Sequence, residues 1–261
     1  MARRIVAIVL GLPVVLPPIP GCANEYKGVI KPTPDLKSLS PELENMTDAA
    51  IDHLLSTNVE PDFPAVVAVA KLNAGYSHPF YNRQDSLSLE MPSGDETDAW
   101  RKAADAARFG NLALVDQVHV VNPLISRRAP TLKELRDSAA LLHANLLVVY
   151  AQGDSADSGY NSAAIAYWSI IGLFLVPGDT VGHHTACYGL VMDTRTGYIL
   201  AVLDGDSKKE ENVLPGAVPI ARRRTQSQAQ AQALERLQKR FTEALVSLGR
   251  GGDEPAAAKA Q

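Results

Sequence analysis

The sequence predicts an α/β fold: one mixed sheet of about five strands covered by helices, three strands parallel and two forming an antiparallel hairpin. Two short β-branched runs, AVVAVAKL and NLLVVYA, alternate with segments whose apolar residues recur at three- and four-residue steps. Asp193-Thr194-Arg195-Thr196-Gly197 lies between two further strand-like runs, and a long amphipathic segment follows them. The first pattern calls for parallel strands joined by helices, the second for a hairpin.

The elements follow in chain order. Leu43, Met46, Ala50 and Leu54 mark a helix within Pro41 to Ser56. Ala65 to Leu72 reads as a buried strand, bounded by Pro64 and by Asn73-Ala74-Gly75. Residues 75 to 94, with Tyr76, Pro79, Tyr81 and Pro92, show no clean period and read as loop. A helix from about Glu96 to Phe109 places Trp100, Ala103 and Ala107 on one face and stops at Gly110. A strand at Leu114 to Val121 comes next.

Thr131 with Glu134 three positions on is a capping-box signature, and Leu132, Leu135, Ala139 and Leu142 form the buried stripe of the helix it opens. Asn145 to Ala151 follows that helix directly, so the three strands joined by two helices should lie parallel. Thr185 to Met192 and Tyr198 to Asp204 flank the turn, in which Asp193 accepts backbone N–H bonds and Gly197 supplies a left-handed residue. The last helix, Thr225 to Leu248, carries Leu234, Leu237, Phe241, Leu245 and Leu248 on one face and ends at Gly249. Residues 249–261, rich in Gly, Ala and charge, are expected to be a disordered tail.

The start of the chain predicts an address. Arg3-Arg4 precede an apolar run from Ile5 to Ile19, then Pro20-Gly21-Cys22. A spanning helix needs about 20 apolar residues, and Pro13, Pro17, Pro18 and Pro20 interrupt a run shorter than that. Residues 1–21 therefore read as a signal peptide. Ile19 to Cys22 resembles the bacterial lipoprotein box, with Pro20 where a small or β-branched residue is usual. The resemblance implies cleavage before Cys22 and acylation of its thiol and amine; Ala23 in place of Asp implies the outer membrane. An ordinary secretory signal with an incidental Cys22 is the alternative. Residues 22–39, with Pro32 and Pro34 among Lys, Asp and Ser, read as a tether, and residues 40–248 as one domain.

Loss of residues 1–21 leaves 23 basic against 29 acidic side chains, a formal charge of −6, which argues against nucleic acid as partner. With Cys22 acylated, Cys187 stands alone and no intrachain disulfide forms.

LLVVY, an apolar stretch, MDTRTGYILAV and a long amphipathic helix together resemble a group of bacterial envelope lipoproteins, over roughly Pro64 to Leu248. That group is similar to the amino-terminal domain of the Tol translocation protein and to the periplasmic domain of the curli-secretion lipoprotein. The resemblance implies a small α/β unit serving assembly at the periplasmic face of the outer membrane. It brings no catalytic residue and no cofactor.

Other candidates carry less. Ala163 to Val176, AAIAYWSIIGLFLV, is too short to span as a helix and lacks the alternation of a membrane hairpin. It reads as a cover over the sheet, or as a patch that touches membrane or a partner. Gly153-Asp154-Ser155 superficially resembles the nucleophile block of GDS-type esterases, but Asp116-Gln117-Val118-His119 precedes Ser155, whereas that family places its Asp-x-x-His late. Gly153 and Ser155 read instead as loop formers. His183, His184 and Cys187 suggest a metal only until strand geometry is applied: adjacent residues point to opposite faces, and His183 and Cys187 lie about 13 Å apart. Arg222-Arg223-Arg224 reads as a solvated turn before the last helix, or as a contact for anionic lipid or an acidic partner. No P-loop or HExxH motif is present. The expectation is a lipid-anchored, non-catalytic assembly or binding module with an envelope protein as partner. The alternatives are a subunit of a secretion-type oligomer and a Ser155 esterase.

Overall fold

The computed structural model describes residues 26–31, 47–57, 59–74, 87–126, 130–161 and 177–251. Cys22, the apolar stretch Ala163 to Val176, most of the tether and residues 252–261 lie outside them. The strands are β1 (Tyr26–Lys31), β2 (Ala65–Ala74), β3 (Leu87–Glu90), β4 (Arg108–Phe109), β5 (Leu112–Ala113), β6 (Val115–Val120), β7 (Leu146–Tyr160), β8 (Asp179–Asp193) and β9 (Ile199–Val213). The α-helices are α1 (Asp48–Ser56), α2 (Gly94–Ala106), α3 (Leu132–Leu141) and α4 (Val218–Gly251).

Seven of the described strands form one mixed sheet. β2 pairs in parallel with β6 on one side and with β7 on the other, the predicted parallel trio. β7, β8 and β9 continue it as antiparallel neighbours. Two strand edges are each shared between two partners. β6 pairs with the first half of β2 and β3 with its end, while β2 pairs with the first half of β7 and β1 with Asp154 to Ser158. β4 and β5 make a separate two-stranded ribbon.

The helices divide between the two faces. Trp100 and Ala104 of α2 and Leu234, Leu237, Phe241 and Leu245 of α4 share a core with Val67, Val69, Val148, Tyr150, Val191 and Leu203. Leu135 and Ala139 of α3 pack on the other face against Leu72, Leu147, Val149 and Met192. Both capping boxes form: Ser93 Oγ accepts from the Glu96 amide and Thr131 Oγ1 from the Glu134 amide, each glutamate accepting in return. Such a cap is worth about 1 kcal/mol.

The turn between β8 and β9 is built as its sequence requires. Thr196 N–H donates to Asp193 Oδ2 at 2.7 Å, and Gly197 has φ 81°. Arg136 of α3 holds the turn from outside, its Nε and Nη2 donating to the carbonyls of Thr194 (3.2 Å) and Arg195 (3.0 Å). A Cβ on Gly197 would overlap Arg136 Nη1 and stand 2.6 Å from its Cζ. Gly197→Ala therefore meets both left-handed strain and loss of the guanidinium, and should cost about 2 kcal/mol by thermal denaturation.

Five readings of the elements change. The helix expected to run to Phe109 stops at Ala106, and Arg108–Phe109 pair with β5 instead. Tyr26–Lys31, taken as tether, is a strand; its YKGVIK has the alternation of an edge strand, but its partner is far away in sequence. Leu87–Glu90, taken as loop, pairs antiparallel with the end of β2. The hairpin strands are 15 residues each, running well past the predicted Ala151 to Tyr160, from Asp179 before Thr185, and past Asp204 to Val213. Finally α4 begins at Val218, so Arg222, Arg223 and Arg224 are helical and not in a turn before it. Arg222 Nη2 donates to Ser158 Oγ of β7 at 2.8 Å, and Arg224 binds Glu211 of β9, so the helix start straddles the three-stranded ribbon.

Candidate functional site

The most unusual chemistry lies under α4, on the outer half of the β7–β8–β9 ribbon. Side chains alternate across a strand, so Gln152 and Asp154 of β7, His183, Thr185 and Cys187 of β8, and Gly205 and Ser207 of β9 share the face that α4 covers. The register sets Asp154 opposite Thr185, and Thr185 opposite Ser207. Over this band α4 presents small residues at four-residue intervals, Ala221, Thr225, Ala229 and Ala233, all buried. A stripe spaced by four follows an inclined ridge of the helix, which lets α4 track the twisted ribbon.

Asp154 is the centre, 4% exposed. Its Oδ1 accepts from Thr185 Oγ1 (2.7 Å) and Gln152 Nε2 (3.3 Å), its Oδ2 from Gln230 Nε2 of α4 (2.9 Å), and His183 Nε2 stands 3.6 Å from Oδ1. Burial by itself raises a carboxyl, but the contacts with His183, Thr185, Gln230 and Gln152 outweigh it and hold Asp154 at about 2. Ser207 Oγ donates to Gln232 Oε1 at 2.6 Å beside it. The arrangement fixes a buried negative charge; it does not expose a nucleophile.

A second polar group lies further in, near the carboxyl end of β2 and beside the first half of β7. Lys71 Nζ reaches Glu96 Oε1 (2.9 Å), Glu96 Oε2 (3.1 Å) and Glu90 Oε1 (3.3 Å). Burial would lower the Lys71 ammonium, yet Glu96 and Glu90 raise it. Tyr150, opposite Lys71 in register, packs against Trp100 with ring centroids 5.3 Å apart and planes tilted by 53°. Burial, with Glu96 adding to it, pushes the Tyr150 hydroxyl up, so it stays protonated.

The structure disperses the esterase candidates. Gly153 and Ser155 are strand residues, not loop formers, because cross-strand partners on β8 and β1 complete their ladder bonds. Ser155 faces away from Asp154, opposite His184 in register. Asp116 and His119 sit on β6, separated from β7 by β2. His183 points to Asp154 and His184 to solvent, while Cys187 is fully buried in the apolar core. Among the described residues no cluster of three His, Cys, Asp or Glu side chains could hold a metal ion.

Sequence reasoning missed Asp154 as a structural centre because polar residues at inward positions erase the hydrophobic alternation that marks a strand. The signal was the Gln-Ala alternation of Gln228 to Ala233, which supplies small spacers and amide side chains together.

No family model matches the chain, and no curated protein matches it. Solved structures offer distant likeness only. A candidate lipoprotein from Caulobacter crescentus is 15% identical, with a TM-score of 0.26, covering 48% of this chain and 85% of its own. The PelC dodecamer from Paraburkholderia phytofirmans, in a variant with a leucine replaced by methionine, is 13% identical, with a TM-score of 0.29, covering 69% of this chain and 94% of that one. PelC in a second crystal form gives 14% and 0.26 over the same shares. Likeness of this degree assigns neither a family nor an activity.

Proposed function

We propose that this protein is a lipid-anchored lipoprotein of the bacterial cell envelope, acting as a non-catalytic assembly or binding module at the periplasmic face of the outer membrane. The observation that carries the reading is the Ile19-Pro20-Gly21-Cys22 box behind a basic and apolar start, four residues ahead of the first strand. The domain begins almost at the acylated residue. The resemblance of the stretch from LLVVY to the last helix to envelope lipoproteins is in keeping with that setting. The non-catalytic part is supported by the placement of Asp154, whose oxygens are occupied by fixed donors under α4, and by the scattering of Ser155, Asp116 and His119.

The test is acylation and fractionation. The native protein should incorporate radiolabelled palmitate and sediment with membranes, and full-chain Cys22→Ala should lose the label entirely. An unlabelled native protein would overturn the anchor. Among the described residues β9 is an edge strand, and its exposed Asp204, Asp206, Lys208 and Glu210 oppose strand addition by another chain, which weighs against a secretion-type oligomer joined through that edge.

A further inference from the structure

Strand register determines which chain segments meet at each end of the β7–β8–β9 ribbon. β1 starts at Tyr26 opposite Ser158, close to the outer end of β7, so the chain enters the sheet at that end four residues after Cys22. β7 stops at Tyr160 and β8 starts at Asp179, paired with each other, so the described strands on either side of the apolar sequence Ala163 to Val176 both end there. β9 stops at Val213 opposite Asp179, and α4 starts five residues later. The outer end of the ribbon thus gathers the chain on either side of three separate sequence regions. The opposite end carries the Asp193–Gly197 turn and α3.

The described surface at the outer end has an interfacial character. Tyr160 is 58% exposed and Ile220 is 69% exposed. Arg222, Arg223 and Arg224 follow Ile220 on the first turns of α4 and are all exposed. Arg222 and Arg224 each keep a bond to the ribbon, to Ser158 and Glu211, which leaves Arg223 as the cation directed outward. The acidic groups on the α4 side of this end are Asp179 and Glu211, and Glu211 is held by Arg224; Asp157 and Glu210 project from the opposite face, where Glu210 pairs with Lys208. Tyrosine at a headgroup boundary and arginines over anionic lipid are the combination such a boundary selects.

We propose that this end of the ribbon is a lipid-docking surface on which the protein stands, Tyr160, Ile220 and Arg223 lying against an anionic bilayer. The proposal rests on the envelope reading for its setting, but its contacts need no acyl chain.

The mature chain from residue 22, carrying Cys22→Ala, should sediment with vesicles of phosphatidylethanolamine and phosphatidylglycerol at low salt. It should release at high salt and bind vesicles of phosphatidylcholine more weakly. Ile220→Asp with Arg223→Glu, both at exposed positions, should lower the partition coefficient about tenfold or more. Leu112→Asp, at a site 70% exposed on the separate β4–β5 ribbon, should leave it unchanged. Failure of the parent chain to sediment, equal binding to both vesicles, or an unaffected Ile220/Arg223 variant would overturn the proposal. A failed palmitate label would overturn only the anchor, so the two readings fall separately.

Discussion

Gly205→Ala should destabilise the protein by about 2 to 3 kcal/mol, the cost of overpacking a site with no room to relax. Gly205 lies in β9 where α4 crosses closest. A Cβ there would land on the Ala233 carbonyl oxygen, 2.7 Å from the Leu237 amide nitrogen and 3.2 Å from Arg236 Cβ. The first two are backbone atoms of one helical turn, so no rotamer change relieves the overlap, and the helix must move off the ribbon. Displacement would loosen Ala229, Ala233 and Leu237 together and strain the Gln230 bond to Asp154. Circular dichroism should show a large fall in thermal midpoint with unchanged helix content at low temperature. A midpoint equal to wild type would mean that the helix does not sit this close. Gly189, whose added Cβ would meet the Val149 carbonyl at 3.3 Å, offers a milder comparison.

The second large effect concerns pH. Asp154 titrates at about 2 in the folded protein against 3.8 for the free group. A depressed folded value means that the charged form stabilises the fold, by about 2 kcal/mol when fully expressed. That contribution is complete well above pH 3.8 and is lost as pH falls through the folded value of about 2. Denaturant melts from pH 6 to pH 2 should therefore show a progressive decline that Asp154→Asn abolishes in part. At neutral pH the same variant should be weaker by about 2 to 4 kcal/mol, because Thr185, Gln152 and Gln230 would all compete for one carbonyl oxygen and an NH2 would face donors. An acid profile identical in the two proteins would show that Asp154 is not held as a buried charge.

The legible and illegible parts of this fold separate by how far the determining contact lies from the residue concerned. β2, the parallel trio, α2, α3 and the Asp193–Gly197 turn depend on local patterns: β-branched runs, a Ser or Thr cap with glutamate three residues on, a turn aspartate and a glycine at positive φ. Local patterns can be read directly. β1 is stabilised by Asp154 to Ser158 on β7, and nothing within YKGVIK announces that partner. The outer halves of β7, β8 and β9 are hidden for another reason. Gln152, Asp154, His183, Thr185 and Ser207 are polar but buried, so the usual inward-apolar signal is reversed until α4's Gln230 and Gln232 are placed over them. The candidate site is visible in the sequence only as residue types. Ser155, His184 and Asp154 are close in the fold, yet the period of two puts Ser155 on one face and Asp154 on the other.

The position of β1 also imposes an order of events. Tyr26 is synthesised roughly 130 residues ahead of its partner Ser158. Until β7 is out, β1 has no edge to join, and until β1 docks, Asp154 to Ser158 present open backbone on that side. Closing a loop of this length is slow relative to forming the local β8–β9 hairpin, so β1 is expected to dock after that hairpin has formed. If the chain is held at the membrane through Cys22, that docking draws the ribbon down onto its own point of attachment.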